Sequence, residues 1–327
     1  MSINTNKKVY NPFELKEVLD SKIVGQDKAK KQICMSIASH NANYLKEDKY
    51  YRKQNMFVIG SGGSGKSETI ETLRSLVNVP IIVKDAYTLS KQKNMLDILT
   101  TDLINAAELD LKAAASGIIV IENLDDALTS TENMQIDKAG VNFINKLSYL
   151  MSGQVEAEVD IEGAEQKETM NFKNVLFIVT CILPQIEYFV KYRKGSNRIG
   201  FINTGNMSTD VYEQVEIADL LLYGLSSNFL DNFSNIVAFT RRTTKQVIKI
   251  IEESDILKYY NEKFASKKVK LEIDKAAIEE LGEYCSQKNL GIWSIKNIIE
   301  KKMIILEFDN IYENQVDKVR VETFLDI

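Results

Sequence analysis

The run Gly60-Ser61-Gly62-Gly63-Ser64-Gly65-Lys66-Ser67 combines glycines, hydroxyls and one lysine in the order G-x-x-x-x-G-K-S. Glycines allow successive backbone N–H groups to turn toward one point, which makes an anion nest at the start of a helix. Lys66 is then placed to reach the β- and γ-phosphates of a nucleotide, and the Ser67 hydroxyl to hold Mg²⁺. This chemistry requires a strand before the loop and a helix after it. The apolar run Met56-Phe57-Val58-Ile59 precedes the loop, and a helix-compatible segment, Glu68 to Val77, follows. Gly60, Gly62, Gly63, Ser64, Gly65, Lys66, Ser67 and Glu68 are therefore the expected nucleotide-binding residues.

A second element carries matching chemistry. Gly117-Ile118-Ile119-Val120-Ile121 is an apolar strand that ends in Glu122, and Asn123, Asp125 and Asp126 follow closely. A buried strand ending in a carboxylate is the other half of a P-loop ATPase site, because it presents an oxygen ligand to Mg²⁺. Val175 to Val179 predicts a further buried strand, which ends at Thr180.

Composition bounds the alternatives. The chain has 327 residues, 44 % hydrophobic and 27 % charged, which describes a globular protein of two domains or one large domain with a lid. A net charge of −5 argues against a nucleic-acid partner. Cys34, Cys181 and Cys285 lack CxxC spacing, and apolar surroundings make Cys34 and Cys181 expected buried thiols in a reducing compartment. No apolar run reaches the roughly 18 residues of a membrane span, and Met1 to Lys8 is polar, so the expected location is the cytoplasm.

The remaining elements position these groups. Helical patterns are predicted for Phe13 to Leu19, Lys28 to Tyr44, Asn94 to Ala115, Asn142 to Met151, Val215 to Tyr223, Thr244 to Glu253, Asp274 to Cys285 and Ile292 to Leu306. Strands are predicted at Val79 to Val83 and Lys318 to Val321. The alternation from Gln154 to Glu162 predicts a hairpin with its charged face in water, and Lys191 to Val211 reads as a polar loop. His40 reads as a structural residue, and Arg241-Arg242 as a solvated pair. The fold class is α/β: a parallel sheet flanked by helices over residues 1–240, then a small, mainly helical lid over 241–327.

At this level the chain resembles the AAA+ ATPase module of the ClpX family of Clp/Hsp100 unfoldases. The matching pieces are Ile23-Val24-Gly25-Gln26-Asp27-Lys28-Ala29-Lys30, the P-loop, Asp85-Ala86 with Thr88-Leu89, Gly117-Ile118 before the acidic strand end, and Val175-Leu176-Phe177-Ile178 before the sensor position, Thr180. The resemblance implies that Ile23 and Val24 contact adenine, and that ATP or ADP with Mg²⁺ is the cofactor, Mg²⁺ being held by Ser67 and Glu122. It also implies a chaperone-type protein. No cysteine cluster precedes residue 23, so the family's N-terminal zinc-binding domain is not expected.

The departures from the family pattern fall on the catalytic positions. Where ClpX carries Asp-Glu, this chain carries Glu122-Asn123, so the glutamate that polarises water is replaced by an amide. Loss of a general base costs roughly 10²–10⁴ in rate; Asp125 is a possible substitute. Asn232 takes the place of the arginine finger, a group worth roughly 10³–10⁵. Trp293, in Gly291-Ile292-Trp293, takes the place of the sensor-2 arginine, with Lys296 one turn on.

The family's aromatic pore loop is replaced by Ser90-Lys91-Gln92-Lys93-Asn94-Met95, and the basic second pore loop by a stretch carrying Glu156, Glu158, Asp160 and Glu162. Ile199-Gly200-Phe201 matches the tripeptide with which ClpX docks on its ClpP peptidase. The expectation is a pseudo-ATPase: a protein that binds ATP and Mg²⁺, hydrolyses poorly or not at all alone, and acts as a nucleotide-dependent scaffold or regulator. Its partner would be a protein, either a ClpP-like peptidase or another AAA+ subunit, with homo-oligomers possible. The alternatives are an active ATPase or unfoldase-type subunit, in a mixed ring or using Asp125 as base, and a nucleic-acid motor or loader.

Overall fold

A computed structural model describes residues 9–46, 50–128, 136–159, 167–195, 210–314 and 316–326. The chain divides into two compact units: residues up to Gly60 with Gly65–Thr240, and Ser61–Ser64 with Arg241–Ile327.

The first unit is built on a parallel sheet. Its strands are β1 (Met56–Gly60), β2 (Ile81–Asp85), β3 (Ile118–Glu122), β6 (Leu176–Cys181) and β7 (Asn235–Phe239), and β4 (Glu156–Val159) and β5 (Glu168–Asn171) form a separate antiparallel pair. The order across the sheet is β2-β3-β6-β1-β7. Both faces are covered, which is why these strands read as continuous apolar runs rather than alternating ones. The period of two still sorts their side chains. Phe57, Ile59, Ile119, Ile121, Phe177 and Val179 enter one core, while Met56, Val58, Ile118, Val120, Leu176 and Ile178 enter the other.

The helix Pro12–Lys22 begins with a capping box, in which Asn11 Oδ1 accepts from the Phe13 and Glu14 N–H groups and Glu14 accepts from the Asn11 N–H. The long helix Asp27–Lys46 buries Ile33, Cys34 and Ile37. His40 on this helix is structural, as expected. It is 1 % exposed, with Nδ1 2.5 Å from Tyr51 Oη and Nε2 2.8 Å from the Ser116 carbonyl oxygen. Burial lowers its pKa from 6.5 to about 4.

Between those two pH values the unfolded chain binds a proton at this site and the folded chain does not. Stability is therefore fully present above pH 6.5 and is lost as pH falls toward 4. The loss amounts to about 3 kcal/mol at 1.36 kcal/mol per pKa unit. Urea unfolding at pH 7.5, 6.0 and 4.5 should show this decline in the wild type and a flatter profile in His40→Gln.

Several elements differ from the sequence expectation. The hairpin does not close within Gln154 to Glu162: Glu156–Val159 pairs with Glu168–Asn171, in the register Ala157 opposite Met170. Ala157 and Met170 are buried while Glu156 and Glu158 face solvent, so the inferred charged face is present. The expected loop from Lys191 is helical at its start, because the helix Ile186–Arg193 runs into it. Strand β7 and the helix Asp255–Ser266 are additions.

The second unit packs the helices Thr244–Glu252, Asp255–Ser266, Lys275–Gln287 and Ile292–Glu307 around Val247, Ile251, Leu257, Phe264, Leu281 and Ile299. Two strands, β8 (Lys270–Ile273) and β9 (Lys318–Val321), pair in parallel beside them. All three cysteines are buried free thiols. Among the described residues no helix is long and apolar enough to cross a membrane.

Candidate nucleotide-binding site

The sheet order brings the two halves of the expected site together. β6 lies between β1 and β3, with Val58 opposite Thr180 and Val120 opposite Ile178, so all three strands end at the same edge of the sheet. At the usual spacing of neighbouring strands, the ends of β1 and β3 are roughly 10 Å apart. Ligands of open α/β sheets bind at this carboxyl edge.

The loop after β1 has the backbone that the motif requires. Gly63 and Gly65 take positive φ values of 68° and 105°, conformations that a side chain would strain. A Cβ added to Gly63 would also lie only 2.1 Å from the Gly291 Cα. The helix Lys66–Arg74 starts directly after Gly65, with no side-chain cap at that position.

Lys66 is buried, and its ammonium donates to the Gly60 carbonyl at 2.7 Å. Burial pulls its pKa down to about 8, against the opposing influence of nearby Asp125 and Glu122. A desolvated ammonium of this kind fits a polyphosphate, which would stabilise its charged form. Ser67 is exposed and Glu122 half-buried. A hydroxyl and a carboxylate form an oxygen donor set suited to a hard cation such as Mg²⁺. Among the described residues no group of three or more His, Cys, Asp and Glu side chains forms a metal site of its own.

Ile23 is buried and Val24 half-buried in the turn between the first two helices. This turn is held from both sides. Lys30 donates to the Ile23 carbonyl at 3.0 Å and pairs with Asp20 at 2.5 Å. The Gln26 amide donates to the Thr240 carbonyl at 2.8 Å and accepts from the Thr240 N–H at 2.9 Å. The sequence did not single out Gln26 as a positioning residue, because its partner is distant in the chain.

The residues expected at the family's catalytic positions have surroundings of their own. Asn123 sits in the left-handed region (φ 57°, ψ 52°), and its N–H donates to Thr180 Oγ1 at 3.2 Å. Its side-chain amide hydrogen bonds to Asp85, whose pKa lies below the usual carboxylate range, chiefly through the Thr88 N–H. Asp125 Oδ1 accepts from the Ile182 N–H at 2.9 Å, which ties this carboxylate to the end of β6. Asp126 is pushed up, first by burial and then by the charges of Asp125 and Asp85.

Asn232 donates through Nδ2 to Ser148 Oγ at 2.8 Å and to the Asn228 carbonyl at 2.7 Å, so its amide closes its own turn. Trp293 is 79 % exposed, with Lys296 Nζ 5.6 Å from its ring centroid. Arg241 and Arg242 are not a solvated pair. Arg241 is exposed, whereas Arg242 is partly buried and donates through Nη1 to the Gly63 carbonyl. The adjacent charges hid this difference in the sequence.

With the geometry in place, comparison with known proteins shows what the chain is similar to. The chain is 28 % identical over 320 residues to the ATP-dependent Clp protease ATP-binding subunit ClpX of Treponema denticola, covering 91 % of this chain and 77 % of the relative. It is 27 % identical over 330 residues to the ClpX subunits of Borrelia duttonii and Borrelia recurrentis, covering 95 % of this chain and 77 % of each. This likeness over about nine-tenths of the chain supports a ClpX-like AAA+ module. No family model matches it. The likeness agrees with the parallel sheet and the P-loop, and Asn123, Asn232 and Trp293 are the positions at which the sequence analysis expects departures from the family's catalytic pattern.

Ile199-Gly200-Phe201 and the acidic residues Asp160 and Glu162 lie outside the described residues. The helices on either side of 196–209 are clamped together. Arg193 bonds both Asp219 oxygens, at 2.8 and 2.9 Å, together with Glu216 at 2.8 Å and the Gln214 carbonyl at 2.7 Å. The Asp219 side chain is fully buried. Arg193→Met should leave that carboxylate uncompensated and destabilise the fold by about 3 kcal/mol. Denaturant unfolding of the variant checks this, and Glu216→Gln, at the exposed end of the cluster, should cost far less.

Proposed function

We propose that this ClpX-like module binds ATP with Mg²⁺, hydrolyses it poorly or not at all by itself, and serves as a nucleotide-dependent scaffold or regulator of a protein partner. One observation carries the reading: Lys66 and its glycine loop are built for a polyphosphate, while the amides at the base and finger positions are bonded within their own neighbourhood. Asn123 faces Asp85, and Asn232 closes its own turn onto Ser148.

The division of work follows from the chemistry of each residue. The Gly62–Ser64 backbone and Lys66 bind the phosphates, Ser67 and Glu122 hold Mg²⁺, and Ile23 and Val24 line the base. Bound Mg²⁺ would neutralise phosphate charge. An amide at 123 orients a water only weakly and cannot accept its proton, and an amide at 232 brings no charge to the transition state. The losses act on one unit and are not additive.

The relatives are, by their names, ATP-binding subunits of an ATP-dependent protease. A ClpP-like peptidase or another AAA+ subunit is therefore the class of partner we propose, with self-association into oligomers and a cytoplasmic location as parts of the same reading. Residues 1–240 would form the nucleotide-binding subdomain and 241–327 the lid.

A second reading has its own observation. Asp125 lies close enough to Lys66 to influence its charge, so an active subunit using Asp125 as base is the competing case. Phosphate release by the purified chain, alone and with a finger-bearing ClpX added, tests both readings. A rate equal to that of a Lys66→Ala blank in both mixtures supports the regulator. Turnover that appears with the partner and disappears in Asp125→Ala supports the active subunit.

A further inference from the structure

Arg242 differs from the other cations of its unit. Nη1 donates to the Gly63 carbonyl, and Nε is buried without a hydrogen-bond partner among the described residues. Burial pulls its pKa down to about 10, with no carboxylate opposing that shift. Its surroundings combine the phosphate-loop residues Ser61, Gly62, Gly63 and Ser64 with the polar Ser286 and Asn289 and the apolar Val247 and Leu290.

A guanidinium presents five N–H donors in a rigid fork that matches phosphate bidentately. One neutral carbonyl satisfies a single donor, and among the described residues no carboxylate pairs with the charge, an arrangement costly in a desolvated place. An anion bound by the same loop would remove that cost. The lid position expected to bring a cation to the phosphates holds Trp293, which is exposed and uncharged.

We propose that Arg242 is a phosphate-binding residue of this chain, its guanidinium turning from the Gly63 carbonyl to the polyphosphate of the nucleotide held by the Ser61–Ser64 loop. This rests on the nucleotide-binding reading above and adds a residue to it. It assigns the cationic role to the start of the second unit rather than to the helix Ile292–Glu307.

The test is a competition titration of wild type, Arg242→Gln and Arg242→Lys with MgATP, ADP and AMP against one fluorescent nucleotide, each variant being checked by thermal melting. Arg242→Gln should weaken MgATP by about tenfold or more, as for loss of a charge-assisted hydrogen bond, and AMP by much less. Arg242→Lys should fall between Gln and wild type, and it keeps the test decisive if the Gln variant does not fold. A folded variant that binds MgATP within twofold of wild type, or that loses MgATP and AMP equally, overturns the assignment while nucleotide binding stands. A wild type that binds none of the three nucleotides overturns both.

Discussion

Lys66→Ala is expected to weaken MgATP binding by about a hundredfold. The side chain is buried against the Gly60 carbonyl, and a hydrogen bond to a charged group in such a place contributes about 1.5–3 kcal/mol. Cys181, Asp125 and Glu122, the ionisable neighbours that influence Lys66, cannot carry a positive charge in its place. The same environment gives the interaction a pH dependence. Because burial holds the pKa at about 8, the free protein loses this proton as pH rises through 8, whereas phosphates favour the charged form. Wild-type affinity should therefore decline between pH 7 and pH 9, and the alanine variant should lack that decline. Equilibrium titration at both pH values measures it. An alanine variant within a few-fold of wild type would place the nucleotide elsewhere.

Asn123→Glu is expected to raise ATP turnover, with a ceiling of roughly 10²–10⁴ set by what a general base contributes. The gain should fall well below that ceiling, because the uncharged residues at 232 and 293 remain and the groups act together. It also carries a cost. Asn123 adopts φ 57°, a left-handed conformation that asparagine tolerates better than glutamate. Glutamate there also gives up the amide bond to Asp85 and adds a negative charge beside that carboxylate. A loss of about 1–2 kcal/mol in stability should therefore accompany the gain in rate. Phosphate release and urea unfolding on one preparation test both effects. Asn123→Asp, which tolerates the backbone better, separates strain from chemistry. An unchanged rate in Asn123→Glu, with Mg²⁺ present and the protein folded, would mean that Asn123 does not stand at the water.

The parts of this molecule that were legible in sequence are those whose signal is local. The P-loop declares itself because strand, glycines, lysine and helix are contiguous. β3 and β6 do so because complete burial writes an unbroken apolar run, as in Ile118-Ile119-Val120-Ile121. β7 was harder to read: Asn235 opens it, only Val237 and Phe239 are buried, and its pairing with β1 joins residues far apart in the chain. In the helix Asp255–Ser266, Leu257, Tyr260 and Phe264 hold a helical spacing that intervening lysines and tyrosines dilute.

At the site, residue identity was legible and engagement was not. The sequence shows an amide at 123, but not that it turns to Asp85. It shows two adjacent arginines, but not that one is partly buried and bonded to the Gly63 carbonyl, a residue far away in the chain.

The measurement that bears most directly on the central claim is the identity of the nucleotide recovered from the protein. The purified chain is incubated with MgATP, separated from free nucleotide after several hours, denatured, and its bound nucleotide analysed. Intact ATP at near one equivalent, absent from Lys66→Ala, is the result expected of a site that binds without turning over. ADP as the recovered species, formed in the wild type and not in the Lys66→Ala blank, would contradict that claim and return this ClpX-like module to the working ATPases.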